Sequence, residues 1–297
     1  MTRRLAARAR AAARRLGRTA RGIREEIAGA RRVTADTRSF LRWTLDILAY
    51  RALLFVPLPP RRRSIRLRSG ATVTYRLDRG DIRALAETLV LEVYRLPDVP
   101  RDPVIVDLGA NIGVASVWLS ATYGCGRLVA VEPSAGNAAV VRANMAANGL
   151  SGEVIEAAVS RRDGTASFRE VAGNSTLGAL GAGGRPVRTV SMATVLAEVG
   201  ADVDVLKLDI EGGEEDLLAG DLAWLDRVGL VIAELHPHLI DVGRAIAALE
   251  SAGFSCRVLQ RHGPDWLFGD VMALFTRPER DPAAAALSAG SAVPGLL

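Results

Sequence analysis

The segment VIVDLGANIGVAS, residues 104 to 116, combines one carboxylate with closely spaced glycines. Asp107 comes first, and Gly109, Asn111 and Gly113 follow at alternate positions. Loops of this kind let a ligand approach the backbone closely, and their amide groups bind anions such as a pyrophosphate. A carboxylate immediately before the loop repels a pyrophosphate. The segment therefore predicts a ligand that presents positive charge or hydrogen-bond donors to Asp107.

A second acidic residue narrows the identity of this ligand. Glu132 lies 25 residues after Asp107, at the end of the apolar run LVAVE. An acid at that place in a dinucleotide-binding fold takes the ribose hydroxyls. S-adenosylmethionine carries an ammonium group, a sulfonium centre and a ribose, and it has no phosphate. We therefore predict S-adenosylmethionine as the cofactor, with Asp107 accepting from its ammonium group directly or through water.

Four more titratable residues lie at the ends of two later apolar runs. Asp209 and Glu211 follow one run in LKLDIEGGEED, and Glu234 and His236 close the next in AELHP. Because parallel strands end at the same edge of a sheet, these side chains are expected to share a crevice beside the cofactor. Three carboxylates in one crevice raise the pKa of at least one of them, unless a cation is bound.

Two chemical interpretations of this group follow. Either His236 or one of the acids is the general base that takes a hydroxyl proton during methyl transfer, or the group holds a divalent cation that acidifies the hydroxyl. We favour a base without a metal ion, because carboxylates with one imidazole specify no known site by count or spacing. Structural alternatives are that Asp209 caps the next helix and that Glu211 orients the glycine loop. Lys207 could face a helix or the crevice.

Alternating strand-like and helix-like segments must position these residues. The strand-like runs are residues 104 to 108, 128 to 132, 153 to 159, 204 to 209 and 229 to 235, then FSCRVLQ and DVMALFT. This order predicts an α/β fold with a doubly wound, mainly parallel sheet covered by helices on both faces. A glycine-rich stretch, residues 173 to 186, is interpreted as a loop near the substrate entrance.

The chain before this domain divides into two parts. Residues 64 to 100 contain two alternating runs around a Ser-Gly pair, which indicate a hairpin, and then a helical pattern over residues 81 to 96. Residues 1 to 63 carry 17 arginines and 4 acidic residues, a net charge of +13, so the rest of the chain carries −8. We predict a basic helical arm over 1 to 63, a ligand-binding domain over 101 to 277 and a flexible tail over 278 to 297.

Two interpretations of the arm stay open. It could dock on an anionic membrane or nucleic acid, or it could be a solvated helix whose apolar part, residues 39 to 60, packs on the enzyme body. Charged residues interrupt that apolar part, so it is not expected to span a bilayer, and no signal-peptide pattern follows the first arginines. The two cysteines lack a CxxC partner, which favours a reducing, cytoplasmic setting.

Five motifs follow one another along the chain: VDLGANIG, VEPSAGNAAVVRANMAANGL, AAVSRRDGTASF, VDVLKLDIEGGEEDLLAG and VIAELHP. Their order and spacing resemble those of the FkbM-type S-adenosylmethionine-dependent methyltransferases over about residues 65 to 277. The resemblance implies a class I Rossmann-like methyltransferase fold and O-methylation of a hydroxyl on a sugar, lipid or natural product. It also implies that Pro133 and Ser134 line the cofactor pocket and that Ala158 lies near the adenine. One departure is Met192-Ala193, where the family shows a Leu-Asp pair.

The expected function is thus methyl transfer to a small-molecule, glycan or lipid hydroxyl. The cofactor-binding candidates are Asp107, Gly109, Asn111, Gly113, Glu132, Pro133, Ser134 and Ala158; the catalytic candidates are Asp209, Glu211, Glu234 and His236, with no metal ligand. The alternatives are a membrane- or RNA-associated S-adenosylmethionine-binding protein without turnover and a nucleic-acid methyltransferase. The charge of −8 outside the arm disfavours nucleic acid, since its phosphates would have to enter an acidic crevice.

Overall fold

The computed structural model of the 297-residue chain describes the following residues: 22–52, 61–77, 79–171, 174–181, 183–261 and 270–277. The beginning of the predicted arm and the predicted tail lie outside the described residues.

The elements are numbered along the chain. The lead-in consists of helices α1 (22–33) and α2 (Thr37–Ala52), strands β1 (Arg62–Arg66) and β2 (Thr72–Arg76), helix α3 (Arg79–Leu85) and a π-helical turn, Ala86–Val90. Next come β3 (Val104–Leu108), α4 (Val114–Tyr123), β4 (Arg127–Val131), α5 (Ala135–Ala147), β5 (Gly152–Ile155), β6 (Ala158–Val159), β7 (Gly164–Val171), β8 (Asn174–Leu180) and β9 (Arg185–Val190). The rest are α6 (Met192–Val199), β10 (Val203–Leu208), α7 (Glu214–Leu218), a 3-10 turn (Ala223–Arg227), β11 (Val228–Leu235), α8 (Val242–Ser251), β12 (Ser255–Arg261) and β13 (Val271–Thr276).

Seven strands form the central sheet in the order β12-β13-β11-β10-β3-β4-β5, and only β13 runs against the others. Successive residues of each strand face opposite sides, so Ile105 and Val205 join one hydrophobic core while Val106 and Leu206 join another. Helices α4 and α5 cover the first side, and α6 and α8 cover the second. The predicted doubly wound, mainly parallel sheet is confirmed.

The strand order reverses between β3 and β10, which are adjacent in the sheet although separated in sequence. The chain leaves the carboxyl ends of these two strands in opposite directions, and this divergence opens a crevice between the loops that follow. The carboxyl ends of β3, β4, β10 and β11, with the loops that follow them, carry the predicted site residues except Ala158, which lies in β6. The topology therefore collects those residues at one edge of the sheet.

A second sheet, in the order β6-β9-β7-β8, corrects two predictions. Residues 153 to 159 are not one strand, because a tight turn with a hydrogen bond from Ala157 N to Ile155 O separates β5 from β6. Residues 173 to 186 contain strand β8 and lead into β9 rather than forming a loop. Glycines are needed there because a Cβ on Gly178 would lie 2.4 Å from the Phe168 ring, and one on Gly184 would lie 2.1 Å from the Phe168 carbonyl oxygen.

The lead-in forms the predicted hairpin, in which β1 pairs with β2 in antiparallel register. The predicted helix over residues 81 to 96 ends earlier, at Val90. The amide of Leu91 donates to Ala86 O, five residues back, and Glu92 then adopts a left-handed φ of 51°. This loosened last turn and the reversal at Glu92 end the helix.

Helix α2 packs on the body through one face. Trp43 and Ile47 are buried in the first core, and the Tyr75 hydroxyl donates to Asp46 Oδ2 at 2.7 Å. Arg63 pairs with the same carboxylate at 3.1 Å. The described part of the apolar segment, which was given as residues 39 to 60, thus packs on the enzyme body. This agrees with the second interpretation of the arm. Within the described residues, no helix has both the length and the hydrophobicity to cross a bilayer.

Two asparagines, Asn144 in α5 and Asn148 at its C-cap, fasten the hairpin to the main sheet. Asn144 is completely buried; its Oδ1 accepts from Thr74 N at 2.6 Å and its Nδ2 donates to Thr74 O and Ile112 O. Asn148 makes the same pair of bonds to the backbone of Thr72. The side chains therefore extend the hydrogen bonding of β2 onto a helix.

We expect Asn144→Ala to destabilise the protein by at least about 2 kcal/mol, because it leaves several buried backbone groups without partners at about 1–3 kcal/mol each. The midpoint of urea unfolding measures the effect. Arg142→Ala, an exposed change on the same helix, is the matched control and is expected to stay within about 0.5 kcal/mol of the parent. Equal stability of the two variants would contradict a fastening role for Asn144.

Candidate functional site

Two adjoining clefts open at the carboxyl edge of the central sheet. The first, of about 640 Å³, is named the apolar cleft because Val131, Pro133, Ala157, Ala158, Val159, Phe168 and Leu180 form much of its wall. The second, of about 620 Å³, is named the acidic cleft because its wall contains Glu87, Asp209, Glu211, Glu234 and Asp270. Gly109, Asn111, Asp209 and Glu211 line both clefts. A molecule in one cleft therefore meets a molecule in the other at these four residues.

Glu132 is the buried carboxylate of the apolar cleft. Its Oε1 accepts from Ser134 N at 2.8 Å and from Asn137 Nδ2 at 3.3 Å, and its Oε2 accepts from Asn111 N at 2.9 Å. Burial raises the pKa of Glu132 to about 7, although these hydrogen bonds act in the opposite direction. The carboxylate is thus held in one orientation at the end of β4, with Ala158 and Phe168 in the same cleft.

The glycine loop after β3 owes its shape to neighbouring backbone. A Cβ on Gly109, whose φ is +74°, would lie 1.7 Å from Asp209 O, so glycine is required by the strand-end carbonyl beside it. At this point the glycine makes room for protein backbone, where the sequence predicts room for a ligand. Gly113 begins α4, and Ser134 caps α5 by accepting from Asn137 N. Neither residue is among those that line the clefts; each is the N-cap of the helix that follows it.

Asp107 is fully buried and is not among the residues that line either cleft. Its position therefore does not support direct contact with a ligand ammonium, and the predicted contact through water stays a prediction. Its Oδ2 accepts from Ser116 Oγ at 2.6 Å, and its Oδ1 lies 3.1 Å from Lys207 Nζ. Lys207 occupies the next strand in register with Asp107 and reaches the crevice rather than a helix. The protein thus supplies its own ammonium group to this carboxylate.

Lys207 also contacts the residues that follow β10 and β3. Its Nζ lies 3.2 Å from Asp209 Oδ2 and donates to Gly109 O at 2.9 Å. Burial alone would raise the pKa of Asp209, but Lys207 and the nearby His236 outweigh it and keep that pKa below its usual value. Asp209 is therefore the ionised carboxylate at the junction. It does not cap the next helix, because Gly213 occupies the N-cap position of α7.

Tyr94 and Glu234 complete this wall. The Tyr94 hydroxyl lies 3.2 Å from Asp209 Oδ2 and 3.4 Å from Glu234 Oε2, so it donates into this carboxylate pair. Burial, followed by the charges of Asp209 and Glu87, raises the pKa of Glu234 well above its usual value. Of the pair, Glu234 is therefore the carboxyl group whose surroundings favour the protonated form.

His236 is oriented by a buried glutamate. Its Nδ1 lies 3.1 Å from Oε1 of Glu214, which is fully buried and also accepts from Ile210 N at 3.0 Å. The Nε2 is thereby directed toward Asp209 Oδ1 at 3.8 Å and Glu211 Oε2 at 3.7 Å. Burial lowers the pKa of His236, but the bond to Glu214 and the two carboxylates outweigh it and raise the pKa to about 10. The ring is an imidazolium at neutral pH.

Glu211 differs from the other acids in its position and in its backbone. It lines both clefts, and its φ of +52° lies in the left-handed region that glycine usually occupies. Burial raises the pKa of Glu211 to about 8, and Asp209 adds to the rise while His236 opposes it. Asn111, on the opposite loop, has a φ of +51°. Two left-handed residues thus face the place where the clefts meet.

Two overlapping groups in the acidic cleft have the chemistry of cation ligands. One is Asp209, Glu211 and His236, and the other is Glu234, His236 and Asp270; within each, one ligand atom per residue lies within 4.8 Å of the others. Lys207 and the guanidinium of Arg83, 3.6 Å from Asp270, already supply positive charge to these acids. Lys207 and Arg83 therefore offset part of the negative charge of these carboxylates.

Comparison with known proteins matches residues 107–256, half of the chain, to the family described as Methyltransferase FkbM domain. The chain belongs to the FkbM methyltransferase family. It is 27% identical over 213 residues to Methyltransferase 1 of Beauveria bassiana, covering 62% of this chain and 84% of the relative. It is 28% identical over 234 residues to the 31-O-demethyl-FK506 methyltransferase FkbM of Streptomyces tacrolimicus, covering 65% of this chain and 88% of that relative.

A solved structure of an FkbM methyltransferase from Methylobacillus flagellatus resembles this one with a TM-score of 0.46 and 15% sequence identity. The match covers 86% of this chain and 59% of that chain.

Several residues of this FkbM methyltransferase were not predicted from the sequence. Arg83, Glu87 and Tyr94 come from the lead-in helix and the turn after it, and Asp270 precedes the last strand. No pattern around them signals a site, because each reaches the cleft only through packing of distant segments. Glu214 could have been found as the next acid of the EGGEE run, which already held a predicted site residue.

The ion pairs of Lys207 predict a large stability loss in Lys207→Met, about 3–5 kcal/mol, because a fully buried carboxylate loses its partner charge. Urea unfolding measures this loss. Adding Asp107→Asn to Lys207→Met should restore part of the stability, since the second change removes the uncompensated charge. Arg188→Met, an exposed cation-to-apolar change, serves as control. A Lys207→Met protein as stable as the control would rule out this role.

Proposed function

We propose that this FkbM methyltransferase is S-adenosylmethionine-dependent and methylates a hydroxyl group of a small molecule, glycan or lipid. The observation that carries the proposal is the junction of the two clefts. Gly109, Asn111, Asp209 and Glu211 line both, so a donor in the apolar cleft and an acceptor in the acidic cleft would meet beside two carboxylates. The Streptomyces relative, a 31-O-demethyl-FK506 methyltransferase, supports an oxygen acceptor.

The residues of the apolar cleft fit the proposed cofactor. Glu132, held by three hydrogen bonds, would take the ribose hydroxyls, as acids at this strand end do in dinucleotide folds. Pro133, Ala158 and Phe168 give the cleft an apolar wall that suits an adenine ring. Asp107 would act indirectly, by holding Lys207 and through it Gly109. When bound, S-adenosylmethionine supplies an electrophilic methyl group on a sulfonium centre.

The chain contributes alignment and proton transfer. Holding the acceptor oxygen in line with the methyl group is worth on the order of 7–11 kcal/mol at ideal geometry. Glu211 is the proposed general base: it lines both clefts, and a pKa of about 8 suits a proton acceptor near neutral pH better than the ionised Asp209 does. The proton would pass from the acceptor hydroxyl to a Glu211 carboxylate oxygen. This mechanism uses no metal ion.

His236 is proposed to act as a hydrogen-bond donor rather than as the base. With its pKa raised to about 10, the ring keeps its proton at neutral pH, and Glu214 holds Nδ1 so that Nε2–H faces Glu211. From there it would stabilise the carboxylate or negative charge developing on the acceptor oxygen. Asp209 would keep Lys207 and His236 in place between the strands.

Cofactor affinity tests the apolar cleft. We expect Glu132→Ala to weaken S-adenosylmethionine binding at least about tenfold, because two ribose hydroxyls lose a charged acceptor at about 1.5–3 kcal/mol per bond. Isothermal titration calorimetry measures it, with Glu153→Ala, an exposed change on the adjacent strand, as control. Absence of binding by the parent protein at millimolar cofactor would end the proposal.

The pH dependence of turnover tests the base. Below its pKa Glu211 is protonated and cannot accept a proton, so kcat/KM should rise as the pH increases through about 8 and then level off. Glu211→Gln should lower kcat by about 10²- to 10⁴-fold and abolish that rise while leaving cofactor binding nearly unchanged. Labelled methyl transfer to acceptors in extracts of the source organism provides the assay.

The control for this experiment is Glu215→Gln, the same chemical change on α7 at a residue that lines neither cleft. Mass spectrometry of the labelled product distinguishes an O-methyl from an N-methyl group. A Glu211→Gln enzyme with the parent pH profile would remove Glu211 as the base. In that case His236→Gln is the next variant, since loss of a rise through about pH 10 would assign the base to the histidine.

A further inference from the structure

Helix α2 presents a row of leucines to solvent. Leu41, Leu45 and Leu48 are 52%, 64% and 42% exposed. Their spacing of four and three residues places them on one side of the helix. The opposite side carries Trp43 and Ile47, which are buried in the first core. The leucine row, as these three residues are called below, is therefore held on the outside of a helix that is itself anchored.

The leucine row stands out among the described residues. The eight large apolar side chains exposed there include these three, and the other five are spread over four separate segments of the chain. Single exposed apolar residues are ordinary, whereas a contiguous row marks a surface that contacts something apolar. Since α2 is already fixed by its other face, the row adds nothing to packing within the described residues.

The surroundings of the leucine row are basic. Arg31, Arg32 and Arg38 are exposed at the end of α1 and the start of α2. Of the nearby acids, Asp46 is buried and paired with Arg63, and Asp36 accepts from Ser39 N and Oγ. Over the described part of this segment, residues 22–52 and 61–63, nine arginines stand against four acids. The leucine row thus belongs to a positively charged part of the described chain.

We propose that the leucine row is a docking surface for an anionic lipid bilayer, with α2 lying along the membrane surface. Apolar side chains on one face of a helix enter the boundary between headgroups and acyl chains, and flanking arginines bind anionic headgroups. Both parts of that recognition are present here, and they act together. The proposal is independent of the proposed reaction.

Charge and chemistry distinguish this occupant from two others. A second copy of the chain would bring two positive regions together, so like charges oppose pairing through this face. Nucleic acid would satisfy the arginines but would leave three leucines without an apolar partner, and the remaining chain carries −8. A bilayer with anionic headgroups complements both the charge and the leucines.

Co-sedimentation of the full chain with vesicles tests the proposal. Vesicles of phosphatidylcholine and phosphatidylglycerol in equal parts should bind the protein at low ionic strength, and vesicles of phosphatidylcholine alone should bind it much less. Replacing the row by Leu41→Gln, Leu45→Gln and Leu48→Gln should weaken binding to the anionic vesicles at least about tenfold. Higher salt should weaken the parent further, because the arginine contribution is screened.

The matched control carries Leu91→Gln and Leu239→Gln, which are equally exposed leucines away from α2. It should bind like the parent, and thermal melting should verify that both variant proteins are folded. Equal binding by the leucine-row variant and the control would overturn the proposal. So would parent binding to an RNA duplex that falls with the same three substitutions, or a parent dimer that they dissociate. Glu211→Gln should bind vesicles like the parent, so failure of the catalytic proposal is separable.

Discussion

The buried ammonium group of Lys207 lies between carboxylates on both sides of the point where the sheet order reverses. It pairs with Asp107 on its neighbouring strand and with Asp209 at its own strand end, and it donates to the carbonyl of Gly109. Without this cation the buried Asp107 and the partly exposed Asp209 would repel each other, and Asp107 would lose its hydration without compensation. The wall shared by both clefts therefore depends on one side chain.

The acidic cleft divides its carboxylates by environment. Asp209 stays ionised because Lys207 and His236 offset its burial, whereas burial raises the pKa of Glu211 to about 8. Glu214 keeps His236 charged. Neighbouring carboxyl groups thus acquire different proton affinities because their surroundings differ. Left-handed backbone at Asn111 and Glu211 is a conformational cost at the same place, of the kind that functional sites retain.

The lead-in segment is part of the site rather than an addition to it. Arg83, Glu87 and Tyr94 line the acidic cleft, and the Tyr94 hydroxyl reaches Asp209 and Glu234. Asn144 ties the hairpin to the helix that follows the second main strand. The predicted domain boundary at residue 100 therefore crosses a cleft that residues on both sides enclose. Helix α2 packs behind this segment with one apolar face inward and its leucine row outward.

The sequence alone determined the sheet and the strand ends that carry the site, because apolar runs with acids and glycines after them are local patterns. Gly109, Glu132, Asp209 and His236 were predicted in this way. Only the tertiary structure decided that Asp107 is buried and paired with Lys207. A strand that is buried on both faces has apolar residues on each, so its sequence does not indicate which side chains reach the crevice. It also brought Tyr94 to the site and split residues 153 to 159 between two sheets. Such contacts depend on segments far apart in the chain, which no local spacing records.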